Sequence, residues 1–325
     1  MKILVTGAGG FIGQRVVREL VNQGTIAVNG SRKAIKTIFA CDIAAEAVDK
    51  LASEFTIVEP LVGDLTAAET QDAIREISPD VIVHLAAVVS SAAEADFELG
   101  IRINVDALVA LINCCRTRPQ PPVFVFSSSL AVFSCSNNEV IDQDRPPMPL
   151  SSYGSQKVIG EYLVRDASRK NFLFGRSIRF PTISVRPGKP NSAASSFASG
   201  IIREPISGEE ARLPVPRSTQ LYLASPDMAV NSVLHAIGLE QDAIGNQTTI
   251  TLPGLSISVE AMIERLSAIV GPDAAALVKD DPDPKIEAIV GTWPGGITTP
   301  RAEALGFRSD ASFDELIRAY IKSTC

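Results

Sequence analysis

Long apolar runs are missing from this 325-residue chain, and none approaches the ~18 residues that a membrane span needs. The opening MKILVTGAGG has none of the basic, apolar and small-residue layout of a secretory signal, so a cytoplasmic protein is expected. Cysteine is scarce and odd in number, five in all, without C-x-x-C spacing. Cys114 and Cys115 are adjacent, a poor geometry for bridging each other, so the thiols are expected as small buried hydrophobes and no metal site is expected. Positive charge is also short. A net charge of -7 disfavours nucleic acid and anionic membranes as partners, and no repeat or low-complexity tail is present. What remains is a globular chain long enough for about two domains or one large one.

The most informative stretch is LSSYGSQKVIGEYL, Leu150 to Leu163, which places Tyr153 and Lys157 four residues apart in a helical pattern. Residues at i and i+4 share a helix face, and a cation near a phenol favours the phenolate, making it a usable base. Ser151 or Ser152 can cap this helix, predicted to run to about Ser168, and the prolines at 146, 147 and 149 end whatever precedes it.

The chain begins with a β-branched run, Lys2 to Thr6, that enters Gly7-Ala8-Gly9-Gly10-Phe11-Ile12-Gly13 and then an amphipathic stretch. Strand, glycine turn and helix in succession form the context of a dinucleotide fingerprint. Gly7 allows the turn, Gly10 admits a pyrophosphate to the backbone, and Gly13 lets the helix pack closely, with the helix N-terminus facing the phosphates. The next strand, Thr37 to Cys41, ends in Asp42. A carboxylate there hydrogen-bonds the adenosine ribose and repels a 2′-phosphate, which favours NAD over NADP. Asp42 can alternatively cap the helix that follows, and the basic segment Arg32, Lys33, Lys36 could itself meet a phosphate.

A third strand, Phe55 to Val62, leads to Gly63-Asp64-Leu65, a plausible clamp for the adenine edge. The apolar strand Val81 to Leu85 carries His84, read as a core histidine, and ends at Ala86 and Ala87, whose small side chains leave room for the cofactor. Apolar strands without alternation, separated by helices, predict a parallel sheet covered on both faces, with ligands at the carboxyl ends of its strands. Ser90 to Gly100 reads as a loop lining the substrate cleft, and Ile101 to Cys115 as a helix. Asn104 lies inside it, where poor propensity means either exposure or a task at depth. The strand Val123 to Phe126 runs into Ser127-Ser128-Ser129, whose hydroxyls fall beside the nicotinamide and can hold a substrate hydroxyl against Tyr153.

A sixth strand, Leu173 to Arg179, precedes Phe180-Pro181-Thr182. Beyond Ile183 the composition turns rich in Pro, Gly, Ser and Arg, which predicts a smaller, loop-built substrate lobe. The organisation expected is α/β: a Rossmann-type doubly wound sheet over 1–182, to which 226–253 return, and a substrate lobe formed by 183–225 and 254–325. Arg186 and Arg203 in the lobe offer bidentate partners for a carboxylate.

The signals TGAGGFIG, HLAA, FVFSSS and YGSQK, in that order, resemble the extended short-chain dehydrogenase/reductase superfamily, which contains nucleotide-sugar epimerases and dehydratases. The resemblance implies NAD as cofactor and a catalytic set of Ser129, Tyr153 and Lys157, with Asn104 in support. It also implies that Lys157 holds the nicotinamide ribose, that Pro181-Thr182 touches the carboxamide, and that the protein is a homodimer through the helices 103–115 and 152–168. A narrower resemblance, in RFPTISVRPGKPN and ASSFASGIIREP, is to the D-erythronate dehydrogenase branch, and implies a small sugar-acid substrate. Around such a substrate Ser90, Ser128, Ser129, Tyr153, Arg186 and Arg203 are the expected contacts.

Overall fold

The computed structural model describes residues 1–188 and 193–324. Seven parallel strands form the central sheet: β1 (Lys2–Thr6), β2 (Thr37–Asp42), β3 (Val58–Val62), β4 (Val81–His84), β5 (Val123–Ser129), β6 (Phe174–Phe180) and β7 (Thr249–Thr251). Their spatial order is β7-β6-β5-β4-β1-β2-β3. The order reverses at β1, which pairs with β2 on one side and β4 on the other, so a crevice opens there at the carboxyl ends.

Side chains alternate across this sheet, as the two-residue period of a strand requires. Ile3, Val5, Val81, Val83, Val123 and Val125 enter one core, shared with the helices Phe11–Gln23 and Pro226–Gly238. Leu4, Ile82, Phe124 and Phe126 enter the other, covered by Ala107–Arg116 and Ser152–Arg169. Both faces of the inner strands β1, β4 and β5 are therefore dry, and these strands can be largely apolar, whereas the edge strand β3 is mostly exposed. Gly160 makes one of these contacts possible, since a Cβ there would sit 2.4 Å from Phe126 Cζ.

The basic segment before β2 forms a hairpin, Thr25–Val28 with Ser31–Ala34. It lies at the amino end of the sheet, where Lys36 N donates to Met1 O, whereas Asp42 closes the carboxyl end of β2. Six residues at ~3.3 Å each separate the two, so these cations do not share the crevice with Asp42. Asn29 at the hairpin tip is tied to a fully buried arginine, Arg176 on β6. That guanidinium donates to Phe174 O, Ala236 O, Leu239 O, Gln241 Oε1 and Asn29 Oδ1.

The second half of the chain is more regular than a loop-built lobe. A three-stranded sheet of Thr182–Ile183, Gln220–Ala224 and Leu255–Ser258 packs with the helices Phe197–Ile206, Val259–Val270 and Phe313–Thr324 around a third core. Proline and glycine density misleads here, because Pro205 sits inside a helix near its end and other prolines start helices at 226, 272, 284 and 300. Residues 226–251 return to the central sheet through the helix Pro226–Gly238 and β7. Ala302 and Phe307 are also buried in the first core, so part of 254–325 packs away from the lobe. Of the resembling segment RFPTISVRPGKPN, residues 189–191 lie outside the described residues, whereas ASSFASGIIREP, from Ala194 onward, lies within them.

Candidate active site

The first turn is glycine-rich, and two of its glycines, Gly7 and Gly13, are tightly constrained. Gly7 has φ +70°, and a Cβ on it would lie 2.6 Å from Ala86 N; one on Gly13 would lie 2.1 Å from Gly7 O. The loop, the end of β4 and the first helix thus approach as closely as glycine permits. The helix Phe11–Gln23 has no side-chain cap, which leaves the N–H groups of Phe11, Ile12 and Gly13 available at its positive end. Asp42 accepts from Gly9 N at 2.9 Å through Oδ2 and from Ala44 N at 3.0 Å through Oδ1, so it both braces the turn and caps the following segment.

A cleft of about 410 Å³ runs past Gly7, Gly10, Asp42, Asp64, Leu65, Ala86 and Ala87. Asp64 is held by Thr66 and by Arg102 at 3.0 Å. This groove, with a glycine cradle, free helix N–H groups and a carboxylate at the end of β2, fits a dinucleotide. Phe11, next to Gly10 in the chain, carries the Arg15 guanidinium over its ring at 5.6 Å.

Leu85 also borders a second cleft, of about 210 Å³, so the two adjoin. Its walls bring together Ile12, Ser90, Ser127, Ser129, Tyr153, Pro181, Thr182 and Arg186 from the two halves of the chain. Ser151 is the residue that caps the tyrosine helix, accepting from Gly154 N at 3.1 Å. Burial pushes the Tyr153 phenol up to about 12, and a hydrogen bond with Ser129 pulls the other way. Lys157 is 2 % exposed; its ammonium donates to Ser127 O at 2.7 Å and lies 5.4 Å from the Tyr153 ring centroid. Burial draws its pKa down to about 7, opposed by the Glu161 carboxylate one turn further on. His84 is a core histidine. It is buried, pairs with Thr6 Oγ1 at 2.7 Å, and is kept neutral by burial and by Lys157.

Two expected contacts, and the form of one expected loop, differ from the sequence expectation. Ser128 borders the second cleft, but its hydroxyl donates to Glu161 Oε1 at 2.5 Å, on the same face of β5 as Phe126. Arg203 is buried behind Arg186, donating to Arg186 O at 2.9 Å and pairing with Glu204, so it does not line the cleft. The segment 90–101 is not a loop but two short helices, Ser90–Ala95 and Phe97–Ile101. Ser90 Oγ accepts from Ala194 N at 3.1 Å, which ties that segment to the lobe.

Asn104 has its task at depth. It is 2 % exposed within a π-helical turn, Arg102–Asp106; its Oδ1 accepts from Val88 N, and its Nδ2 donates to Val88 O and to Gln156 Oε1 at 2.6 Å. The amide thereby pins the loop after β4 to the tyrosine helix. Gln156, Glu161, Arg179 and Trp293 are site neighbours absent from the sequence reading. For Glu161 a signal exists: it continues the Tyr153, Lys157 spacing by another four residues. Among the described residues no cluster of His, Cys, Asp and Glu could hold a metal, and no helix is long and apolar enough to cross a membrane.

Residues 3–221 match the profile of the NAD dependent epimerase/dehydratase family. Over 323 residues the chain is 45% identical to a D-erythronate dehydrogenase of Cupriavidus necator, covering 99% of this chain and 98% of that protein. A D-erythronate dehydrogenase of Haemophilus influenzae is 36% identical over 322 residues, 99% of each chain. Among solved structures, a nucleoside-diphosphate-sugar epimerase from Agrobacterium tumefaciens is similar with a TM-score of 0.89 and 38% identity, over 99% of this chain and 94% of that one.

Proposed function

Since this chain belongs to the NAD dependent epimerase/dehydratase family, we propose that it is an NAD-dependent dehydrogenase that oxidises the 2-hydroxyl of a short sugar acid, D-erythronate to 2-dehydro-D-erythronate. One observation carries the reading. The Tyr153 phenol, the Ser129 hydroxyl and the Arg186 guanidinium line one small cleft that adjoins, at Leu85, the groove shaped for a dinucleotide.

In this reading the N–H groups at Phe11 to Gly13 face the pyrophosphate, Asp42 takes the adenosine ribose, and Asp64 and Leu65 border the adenine. Ala86 and Ala87 leave space along the groove, Lys157 holds the nicotinamide ribose, and Pro181 and Thr182 meet the carboxamide. Bound NAD supplies the hydride acceptor. The phenolic oxygen of Tyr153 removes the hydroxyl proton, Ser129 Oγ holds the hydroxyl oxygen, and the Lys157 ammonium lowers the cost of the phenolate. Arg186 pairs with the substrate carboxylate, and Asn104 supports the site by fixing the loop after β4.

A second reading, nucleotide-sugar epimerisation, is favoured by the likeness to the Agrobacterium tumefaciens structure. A four-carbon acid suits a cleft of about 210 Å³ better than a nucleotide-sugar does. NADH formation with a panel of aldonic acids, assayed beside UDP-sugars, separates the two. Turnover of D-erythronate supports the first, and turnover of a UDP-sugar with no aldonate oxidation supports the second.

The same reading takes the protein as a cytoplasmic homodimer. Val109, Ile159 and Tyr162 expose apolar surface on the helices Ala107–Arg116 and Ser152–Arg169, the pair expected to meet across a two-fold axis. Cys41, Cys114, Cys115 and Cys135 are free thiols, in keeping with a reducing compartment.

A further inference from the structure

Behind the catalytic cleft lies a buried ion pair that the proposed reaction does not use. Glu161, 4 % exposed, accepts from Arg179 Nε at 2.8 Å through Oε1 and from Arg179 Nη2 at 2.7 Å through Oε2. Ser128 Oγ donates to the same Oε1, and the Arg179 guanidinium lies 4.7 Å from the Phe133 ring centroid. The carboxylate is thus held by three hydrogen bonds from β5 and β6. It sits one helical turn beyond Lys157, which is itself one turn beyond Tyr153, so all three share a face of the helix Ser152–Arg169.

Stability does not explain this arrangement. A buried ion pair must offset a large desolvation cost, and apolar side chains of similar volume commonly do as well in its place. The reaction supplies a reason. The Lys157 ammonium has Ser127 O as its hydrogen-bond acceptor and otherwise faces the rings of Phe126, at 4.9 Å, and Tyr153. Burial favours the neutral amine, and a neutral amine cannot stabilise the Tyr153 phenolate.

We propose that Glu161, fixed by Arg179 and Ser128, is a positioning residue that keeps Lys157 charged and anchors the Ser127–Ser129 end of β5 against the tyrosine helix. The role rests on the dehydrogenase reading for its consequence in turnover, but its electrostatic part is testable without any substrate. The charged and titratable groups around the pair all bear on it. His84 on β4 is neutral, Arg179 on β6 screens part of the carboxylate charge, and Arg165 lies on the same helix. Asp144, Arg145 and Arg301 line a polar cavity of about 200 Å³ on the far side.

The test uses the full-length protein with 13C-labelled lysine side chains and follows the Lys157 Cε resonance against pH, assigned by its loss in Lys157→Met. In Glu161→Gln the titration midpoint falls by about one pH unit, corresponding to a tenfold change in the ionisation equilibrium. The kcat/KM for oxidation falls below that of the wild type as pH rises through the two midpoints, by up to about tenfold, because the variant's lysine loses its charge at lower pH, and the deficit closes in acid. The double variant Glu161→Met with Arg179→Met keeps a melting temperature near that of the wild type, and its midpoint falls by less than in Glu161→Gln, because the Arg179 charge leaves with the carboxylate. Unchanged midpoints and superimposable profiles in both variants would overturn the proposal. So would loss of folding in Glu161→Gln and in the double variant, which would mark the pair as scaffold. A wild-type protein inert toward every sugar acid would count against the dehydrogenase reading, while the lysine titration would still decide the role of Glu161.

Discussion

Tyr153 is where chemistry concentrates on the fewest atoms. Removing only its oxygen, in Tyr153→Phe, is expected to abolish hydride transfer while leaving NAD affinity nearly unchanged, as isothermal titration beside turnover would show. Lys157→Met should harm both. Lys157 also carries a stability signature whose sign follows from its depressed pKa. Between about 7 in the folded chain and 10.5 in the unfolded one, the unfolded chain binds more protons, so stability rises with pH across that window. The melting temperature of the wild type relative to Lys157→Met should climb as pH is raised from 7 toward 10, and a flat difference would contradict the burial argument. Arg186→Ala should lower kcat/KM for the acid by about tenfold to a hundredfold, since an unpaired charge-assisted bond costs roughly 1.5 to 3 kcal/mol. Removing the substrate carboxylate instead should act on the same contact, so the two changes together fall short of additive. At this scale the sequence is legible where a motif has one geometry, as with Gly7 and Gly13. It is illegible where neighbours decide, as with Ser128, whose hydroxyl turns toward Glu161 because a strand alternates its faces from Phe126 onward.

Among the elements, the central-sheet strands and the tyrosine helix are legible because burial on both faces writes unbroken apolar runs and because Pro149 and Ser151 punctuate the helix start. The Ser90–Ala95 and Phe97–Ile101 helices escape such a reading, being too short to show a period. The π-helical turn at Arg102–Asp106 escapes too, since it answers to Asn104 and its partners 16 and 52 residues away. Gly13→Ala tests the first turn as a unit. Its added Cβ meets Gly7 O at 2.1 Å, so NAD binding should be lost together with several degrees of melting temperature, whereas Gly24→Ala, which meets no atom but strains a φ of +61°, should cost stability and spare NAD binding. Asp42→Ala should weaken NAD far more than NADP. The basic hairpin, at the opposite end of β2, should be replaceable by neutral residues without altering that preference.

The whole molecule is expected to be a dimer, and a monomer mass by light scattering at micromolar concentration would refute it. A further consequence follows from the arginine at the back of β6. Arg176 is fully buried and spends its donors on groups from positions 29, 174, 236, 239 and 241. During synthesis the acceptors at 236 to 241 emerge long after the first six strands, and β7, which covers the edge of β6, emerges later still. Until then the nascent sheet holds a guanidinium with only the Asn29 and Phe174 acceptors, beside an open edge, so its first 182 residues should remain protease-sensitive on the ribosome. The chain locks in one late step, when its second half delivers the missing carbonyls.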